Sequence, residues 1–436
     1  SKLSKTSNFM VKEPYMLIYE DKTFNIEPYS YKKFYNLDKE FRNKIKEEKP
    51  YGYEEAIKVR RLYTYLYPIV SRIKRNKDIY LFIDRKEIAD DNSMHLFRYA
   101  SNIKDDVKKY LVVSNKSRNY KLLSRIGNVI NYNSLKHKLV YLFADKIIST
   151  HPYESELNPF FEYGNDRREL FNGLNTSNTY FLQHGVTLGN ISDWMSKCDK
   201  DLSLIVTVSD REKESFSVEG YNFDSNIIET LGFPRYDNLK NDSNKKQLLI
   251  IPTWRKFLSG QKELFLHSEY YKKINSLLNN KKLLSYAKEN GYKIVFKGHP
   301  ELEKPFNEEG EKFIDFINIP EQITLSTRDS YQKLFNDSSI LVTDYSSVFF
   351  DFAYLKKPVI YYQPDEDYHY DESYFDFETM GFGDVIRDED DLIGKINEFM
   401  QNGSQMDDKY RERVDNFFKY TDQNNCQRVY NWIKEH

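Results

Sequence analysis

Cysteine is almost absent: two in 436 residues, Cys198 and Cys426. Two thiols so far apart make neither a metal-binding spacing nor a disulfide framework, which suits a reducing compartment. An excess of one charge is also missing. Lysine plus arginine number 65 against 67 aspartate plus glutamate, a formal net charge of −2. That excludes a nucleic-acid binder relying on bulk charge and leaves only local patches. No apolar run approaches the roughly 20 residues of a membrane-spanning helix, and no secretory leader opens the chain. The chain starts at Ser1 without methionine, and reads as a trimmed form or one piece of a longer protein. It carries no internal repeat, no Walker A sequence, no GxGxxG and no HExxH.

What is abundant is aromatic volume. Total hydrophobic content is 39%, yet 36 Tyr and 30 Phe supply core. The length exceeds one ordinary domain, so two are expected. Residues 1–50 are polar and Lys- and Tyr-rich, and read as a lead-in with short helices. Residues 53–77, "YEEAIKVRRLYTYLYPIVSRIKRNK", carry apolar residues at helical spacing, with seven basic and two acidic residues. Pro68 should kink or split that helix. Its basic face fits either an anionic membrane surface or plain solvent; the lead-in is taken as 1–77.

The chain then alternates. Strand candidates are Ile79–Ile83, Tyr110–Val113, Leu139–Phe143, Lys146–Ser149, Tyr180–Gln183 and Leu204–Val208, then Leu248–Pro252, Tyr292–Phe296, Ser339–Thr343 and Pro358–Tyr362. Such alternation predicts an α/β fold with two open, mostly parallel, Rossmann-like sheets. The polar stretch Pro234–Lys246 is the candidate linker. This gives domains over 78–234 and 247–409, with C-terminal helices over 410–436 packing back on the first. Ligands of such sheets bind at the C-terminal ends of strands, so the cleft between the domains is the expected site.

Three stretches fall there. In "YFLQHGVTLGN", a strand ends in Gln183-His184-Gly185. His184 can act as a base near neutral pH, and Gly185 lets a ligand approach the backbone. In "YKIVFKGHPEL", a strand precedes Lys297-Gly298-His299-Pro300. In "SSILVTDYSSVFFDFAYLKKPVIYY", a strand runs into Asp344, then Ser346 and Ser347 at the start of an apolar helix to about Leu355. Hydroxyls there either cap the helix or add donors to an anion site. Buried on nearly all sides, that helix points its start into the cleft, which favours phosphate. Taken alone, His299 reads as a loop histidine bonded to a carbonyl, and His184 fits a satisfied, half-buried histidine as well as a base; one per domain on a single cleft makes an acid–base pair. Arg255 in "IIPTWRKF" can fork onto phosphate. Arg235 in "GFPRYDNL" can do the same or stabilise the hinge. The acids Asp365-Glu366-Asp367 lack a histidine or a spacing that demands a metal.

From about Leu62 to about Lys395 the ordered set "LYTYLYPIVSRIKRNKDIYLF", "DDNSMHLFRYAS", "FLQHGVTLGNIS", "GFPRYDNL", "IIPTWR", "FKGHP", "VTDYSSVFFDFAYLKKPVI" and "YFDFETMGFGDVI" resembles the CDP-glycerol glycerophosphotransferase family, which builds teichoic-acid and related capsule polymers. The resemblance implies a GT-B-like fold. It implies a CDP-glycerol or CDP-ribitol donor held by the second domain and a polymer or lipid-linked acceptor at the first. It also implies peripheral attachment to the inner face of the cell membrane. It places the acceptor base on His184 and puts His299 near the donor diphosphate. Phosphate contacts fall on Ser346 and Ser347, with Arg255 and Lys297 as donor-binding cations. Gly185, Gly298, Asp344, Asp351 and Arg235 are supporting residues. Many members continue "HGTPLK", whereas this chain reads "HGVTLGN", which leaves polyol and acceptor open. That variant resembles domains fused to, or paired with, another glycosyltransferase domain.

The expected reaction is attack of an acceptor hydroxyl on the polyol-bearing phosphate, releasing CMP, without metal or other cofactor. Two alternatives stand beside it: a GT-B glycosyltransferase using a nucleotide sugar, and a non-catalytic polymer- or membrane-binding module.

Overall fold

The computed structural model describes residues 7–20, 22–48, 53–161, 168–241, 245–365 and 374–436. The chain opens on an antiparallel meander, β1 (Phe9–Lys12), β2 (Tyr15–Glu20) and β3 (Thr23–Pro28). Helices α1 (Tyr31–Glu48) and α2 (Glu54–Lys74) follow. Short helices over residues 1–50 are thus corrected to a small sheet and one 18-residue helix. Phe9, Val11, Met16 and Ile18 all face inward, the period-two signature of a half-buried strand pair. Pro68 does not split α2. Tyr67 packs on Phe34 (5.1 Å) and Tyr63 on Phe143 (4.4 Å), and tertiary packing offsets the one backbone bond a proline removes. Between α1 and α2, buried Asp38 accepts from Arg42 (2.7 Å), Arg60 (2.5 Å) and Thr64 (2.7 Å).

The first large sheet holds β4 (Asp78–Ile83), β5 (Val107–Val113), β6 (Asn128–Asn131), β7 (Lys146–Ser149), β8 (Asn178–Phe181), β9 (Leu204–Thr207) and β10 (Ile228–Thr230). All its pairings are parallel, in the order β10-β9-β8-β7-β4-β5-β6. The order reverses between β7 and β4, a switch point. Leu139–Phe143, expected as a strand, is instead the end of a helix over Leu135–Phe143. Ser134 caps it by accepting from the His137 amide, and the inward face His137, Lys138, Tyr141, Leu142 has helical spacing.

The second sheet holds β11 (Gln247–Ile251), β12 (Lys293–Phe296), β13 (Ile323–Leu325), β14 (Ile340–Thr343), β15 (Val359–Tyr362) and β16 (Gly383–Ile386). It too is all parallel, ordered β13-β12-β11-β14-β15-β16, with its switch between β11 and β14. The stretch expected as a linker begins as a 3-10 turn over Pro234–Asn238; residues 242–244 of it lie outside the described residues. The turn is anchored. Asp237 accepts from the amides of Asn425 (2.9 Å) and Cys426 (2.8 Å) at the start of the final helix, Asn425–Glu435. That helix lies on α3 (Asn92–Ser101), and one continuous apolar core runs from Phe82 and Phe97 through Tyr236 to Phe350 and Phe417.

Candidate active site

The loop after β8 is built to present His184. Gln183 adopts φ +59°, a left-handed conformation costly for a residue with a side chain. Its own amide holds it there. Nε2 donates to the Val206 carbonyl (2.7 Å) and to Glu212 (3.0 Å), while Oε1 accepts from the Thr187 hydroxyl (2.7 Å). Glu212, fully buried, also accepts from the amides of Thr187 and Val208, both at 2.8 Å. Burial pushes its carboxyl up to about 7, against the pull of those donors. On the other side Asn92, at the start of α3, donates to the carbonyls of Leu182 (3.1 Å) and Gln183 (2.8 Å). His184 therefore leaves a rigid turn.

The His184 ring opens onto the cleft. Its Nδ1 lies 3.3 Å from the Thr150 carbonyl. A carbonyl only accepts, so Nδ1 carries the hydrogen and Nε2 keeps its lone pair. The cleft walls lower its pKa by desolvation, with Asp91 working against them. A neutral imidazole with a free Nε2 is a base.

His299 has the opposite polarity. Its Nδ1 accepts from the Glu301 amide at 3.2 Å, so the neutral ring carries its hydrogen on Nε2. Burial lowers its pKa, opposed by Glu301. It is a hydrogen-bond donor in its resting state. Ser346 and Ser347 stand at the start of the helix Val348–Tyr354. Ser347 makes no side-chain capping bond, and Ser346 Oγ is a distant 3.5 Å from the Val348 amide. Capping therefore uses little of either hydroxyl.

One cavity of about 250 Å³ joins these groups: His184 and Gly185 from one side, His299, Ser346, Ser347 and Asp351 from the other. Gly185 is needed for the approach. A Cβ there would stand 2.9 Å from Ser347 Oγ. Arg235 also lines the cavity but is engaged. It forks onto Asp351 (Nε to Oδ1 2.6 Å, Nη2 to Oδ2 2.8 Å) and reaches Asp91 (3.1 Å).

Not every expected residue comes to this cavity. Arg255 is buried elsewhere, its guanidinium bonded to Asp344 (2.9 Å) and Asp365 (2.8 and 2.6 Å) between the rings of Tyr270 and Tyr345. Lys297 is buried 3.5 Å from Glu303. Asp344 accepts from the Thr253 amide (2.8 Å) and hydroxyl (2.6 Å) and from the Tyr345 amide (2.7 Å), so it shapes the turn beneath the serines. At Gly298 a Cβ would meet Leu302 at 3.2 Å, which keeps the histidine turn close to its short helix. Of the acidic trio only Asp365 lies within the described residues.

The sequence reading missed Arg85, Asp91, Asn92, His95 and Tyr331, all beside or on this cavity. A signal existed for the first. Arg85 stands two residues past β4, at the switch point, where the same strand-end rule that singled out His184 applies. Asp91 caps α3 by accepting from the Asn92 amide at 2.8 Å. Burial raises its carboxyl, but Arg235 and Arg85 outweigh that and hold it below the usual range.

Two parallel sheets, with one site spanning the strand ends of both, define a GT-B-type fold. The fold is similar to the Wall Teichoic Acid Polymerase TagF, TM-score 0.63 and 16% identity, over 93% of this chain and 98% of that one. A histidine-to-asparagine variant of that protein soaked with CDPG gives TM-score 0.60 at the same identity and coverage. The chain belongs to the family described as CDP-Glycerol:Poly(glycerophosphate) glycerophosphotransferase, which matches residues 65–435. It is 40% identical over 445 aligned residues to the Minor teichoic acid biosynthesis protein GgaB of Bacillus subtilis (strain 168), covering 98% of this chain. It spans 48%, about half, of that relative's length.

Proposed function

We propose that this chain transfers a polyol phosphate, glycerol phosphate or ribitol phosphate, from a CDP-activated donor to a hydroxyl of a teichoic-acid-like or capsule polymer or primer. CMP is released. The observation that carries this reading is the pair of histidines with opposite hydrogen-bond polarity on one cavity. Family membership supplies the donor class.

The acceptor hydroxyl lies against His184 Nε2, which takes its proton as the oxygen attacks the polyol-bearing phosphorus in line. The new P–O bond forms while the bond to CMP breaks. Ser346, Ser347 and His299 Nε2–H donate to the phosphate oxygens. His299 does not hand over its proton, because a neutral ring that did so would become an anion. It has no need to, since a phosphate monoester has its second pKa near about 6 and leaves unprotonated at neutral pH. Catalysis is then mostly positioning and charge stabilisation.

Fixed positive groups and hydroxyls take the part a metal plays elsewhere, so no metal or other cofactor is required. The assay is CMP release from CDP-glycerol and CDP-ribitol, with a phosphopolyol primer, in EDTA. Primer-dependent release that falls by roughly 10²–10⁴-fold in His184→Ala is expected for a lost general base. Release unchanged in that variant makes His184 structural; release that needs magnesium ends the metal-free reading. Turnover of a UDP-sugar instead moves the chain to sugar transfer, which the same fold can host.

The outward stripe of α2, Lys58, Arg61, Tyr65, Ile69, Arg72 and Ile73, is exposed and mixes basic with apolar groups. It supports peripheral attachment to an anionic membrane at the cytoplasmic face. Among the described residues, no helix is long and apolar enough to cross a membrane. Covalent linkage to, or pairing with, a second glycosyltransferase domain accords with the greater length of GgaB.

A further inference from the structure

A diphosphate brought between Ser346, Ser347 and His299 needs positive charge, and the cations expected to supply it are elsewhere. Arg255 is bonded to Asp344 and Asp365, Lys297 lies beside Glu303, and neither lines the cavity. Two arginines do line it, Arg235 and Arg85. Arg235 bonds two carboxylates, Asp351 and Asp91, and its side chain is only 13% exposed.

Arg85 is different. It follows β4 at the switch point of the first sheet. Its side chain is 37% exposed, and its nearest carboxylate, Asp91 Oδ2, is 3.6 Å away, beyond hydrogen-bond distance. Asp91 itself is already bonded to Arg235. Arg85 lines the same cavity as His184, His299 and Tyr331, so it sits amid the groups of both domains that face it. A guanidinium presents a planar fork suited to phosphate oxygens.

We propose that Arg85 is the first domain's phosphate-binding cation, contacting the donor diphosphate across the cleft from Ser346 and Ser347 and stabilising the charge on the transferred phosphoryl group. The inference rests on the phosphotransferase reading for its reaction, but not for its binding test. On this account the donor is held by both domains. Asp91 orients Arg85 loosely and leaves its fork available.

The test has two readouts on the full chain. Calorimetry with inorganic pyrophosphate needs no knowledge of the donor. Arg85→Gln should bind it at least about tenfold more weakly, and Arg85→Lys should fall between, since a lysine keeps the charge but not the fork. In CMP release from CDP-glycerol, kcat in Arg85→Gln should fall by about 10²–10³, the usual loss for one transition-state donor. Added guanidinium should restore part of it, which a purely structural role would not allow. Unchanged pyrophosphate affinity overturns the proposal, even if turnover falls. In that case a shifted acid limb of the rate would mark Arg85 as acting on His184 alone. If wild type turns over neither CDP-polyol, the donor assignment fails while the pyrophosphate comparison still decides Arg85. Arg85→Lys, the milder change, serves if Arg85→Gln does not fold.

Discussion

At the residue scale, both histidines are engaged at Nδ1 but in opposite directions, and the proposed division of work rests on that. Thr150 takes the Nδ1 hydrogen of His184, and Glu301 gives its amide hydrogen to Nδ1 of His299. The first ring is left with a lone pair to offer and the second with a hydrogen. The pH dependence follows in sign. As the proposed base His184 works when neutral, and desolvation lowers its pKa from the ordinary value of about 6.5. Turnover should therefore rise with pH to a plateau, with its acid midpoint below about 6.5. A kcat/KM profile with that midpoint at 7 or above contradicts a desolvated His184 as the base. The sequence made both histidines visible because each ends a strand. It could not show their polarity, which depends on Thr150 and Glu301, a strand-end carbonyl and a helix-start amide that any residue type supplies. Nor could it show that Arg255, placed after a strand like Arg85, turns away to Asp344 and Asp365.

At the element scale, the loop after β8 is held by one buried carboxylate. Glu212 takes the Gln183 amide and the Thr187 and Val208 backbone hydrogens. Glu212→Ala leaves three donors unpaired, at about 1–3 kcal/mol for each that stays dry. A lower melting temperature is expected, with loss of CMP release larger than the stability loss alone explains, because Gln183 no longer holds its left-handed turn. Melting and activity both close to wild type would show that the turn holds itself. The buried apolar strands were legible: β4 over Ile79–Ile83 and β15 "VIYY" are continuous apolar runs, as buried parallel strands are. Short or polar partners were not. β6 reads "NVIN" and β10 and β13 have three residues each, so their pairing is set by neighbours already in place. The "LVYLF" run misled for the converse reason. A buried helix end and a buried strand look alike over five residues, and only Ser134 upstream separates them.

At the scale of the whole molecule, the domains are joined through Arg235. It stands in the turn between them and binds Asp91 of the first and Asp351 of the second. Arg235→Met leaves Asp351 buried without its cation and Asp91 with only Arg85 at 3.6 Å, a loss of about 3–5 kcal/mol. Urea denaturation should show it, and activity should fall with it; an unchanged midpoint would mean that the apolar core alone sets the domain arrangement. The outer stripe of α2 makes the other prediction at this scale. The chain should float with vesicles containing phosphatidylglycerol and not with neutral ones. Replacing Arg61, Arg72 and Ile69 with Ser, Ser and Asp should abolish flotation while CMP release from the CDP-activated donor, with a soluble primer as acceptor, persists. Equal flotation on both vesicle types removes the electrostatic part of the reading. The two-sheet plan was legible from alternation, but the meander ahead of it was not, because β3 exposes Phe24 and Ile26 and so lacks the usual pattern.

The close approach of Gly185 to Ser347 reaches beyond the single chain. One belongs to the half built on the first large sheet, the other to the half built on the second, and a single methyl group on the first would displace the hydroxyl of the second. The two halves therefore cannot be inherited separately without care at this seam. Recombination that brings a first domain from a relative with any side chain here would give a protein whose sheets are intact and whose Ser347 hydroxyl is pushed aside. Chimeras should function only where the glycine and the serine travel as a pair.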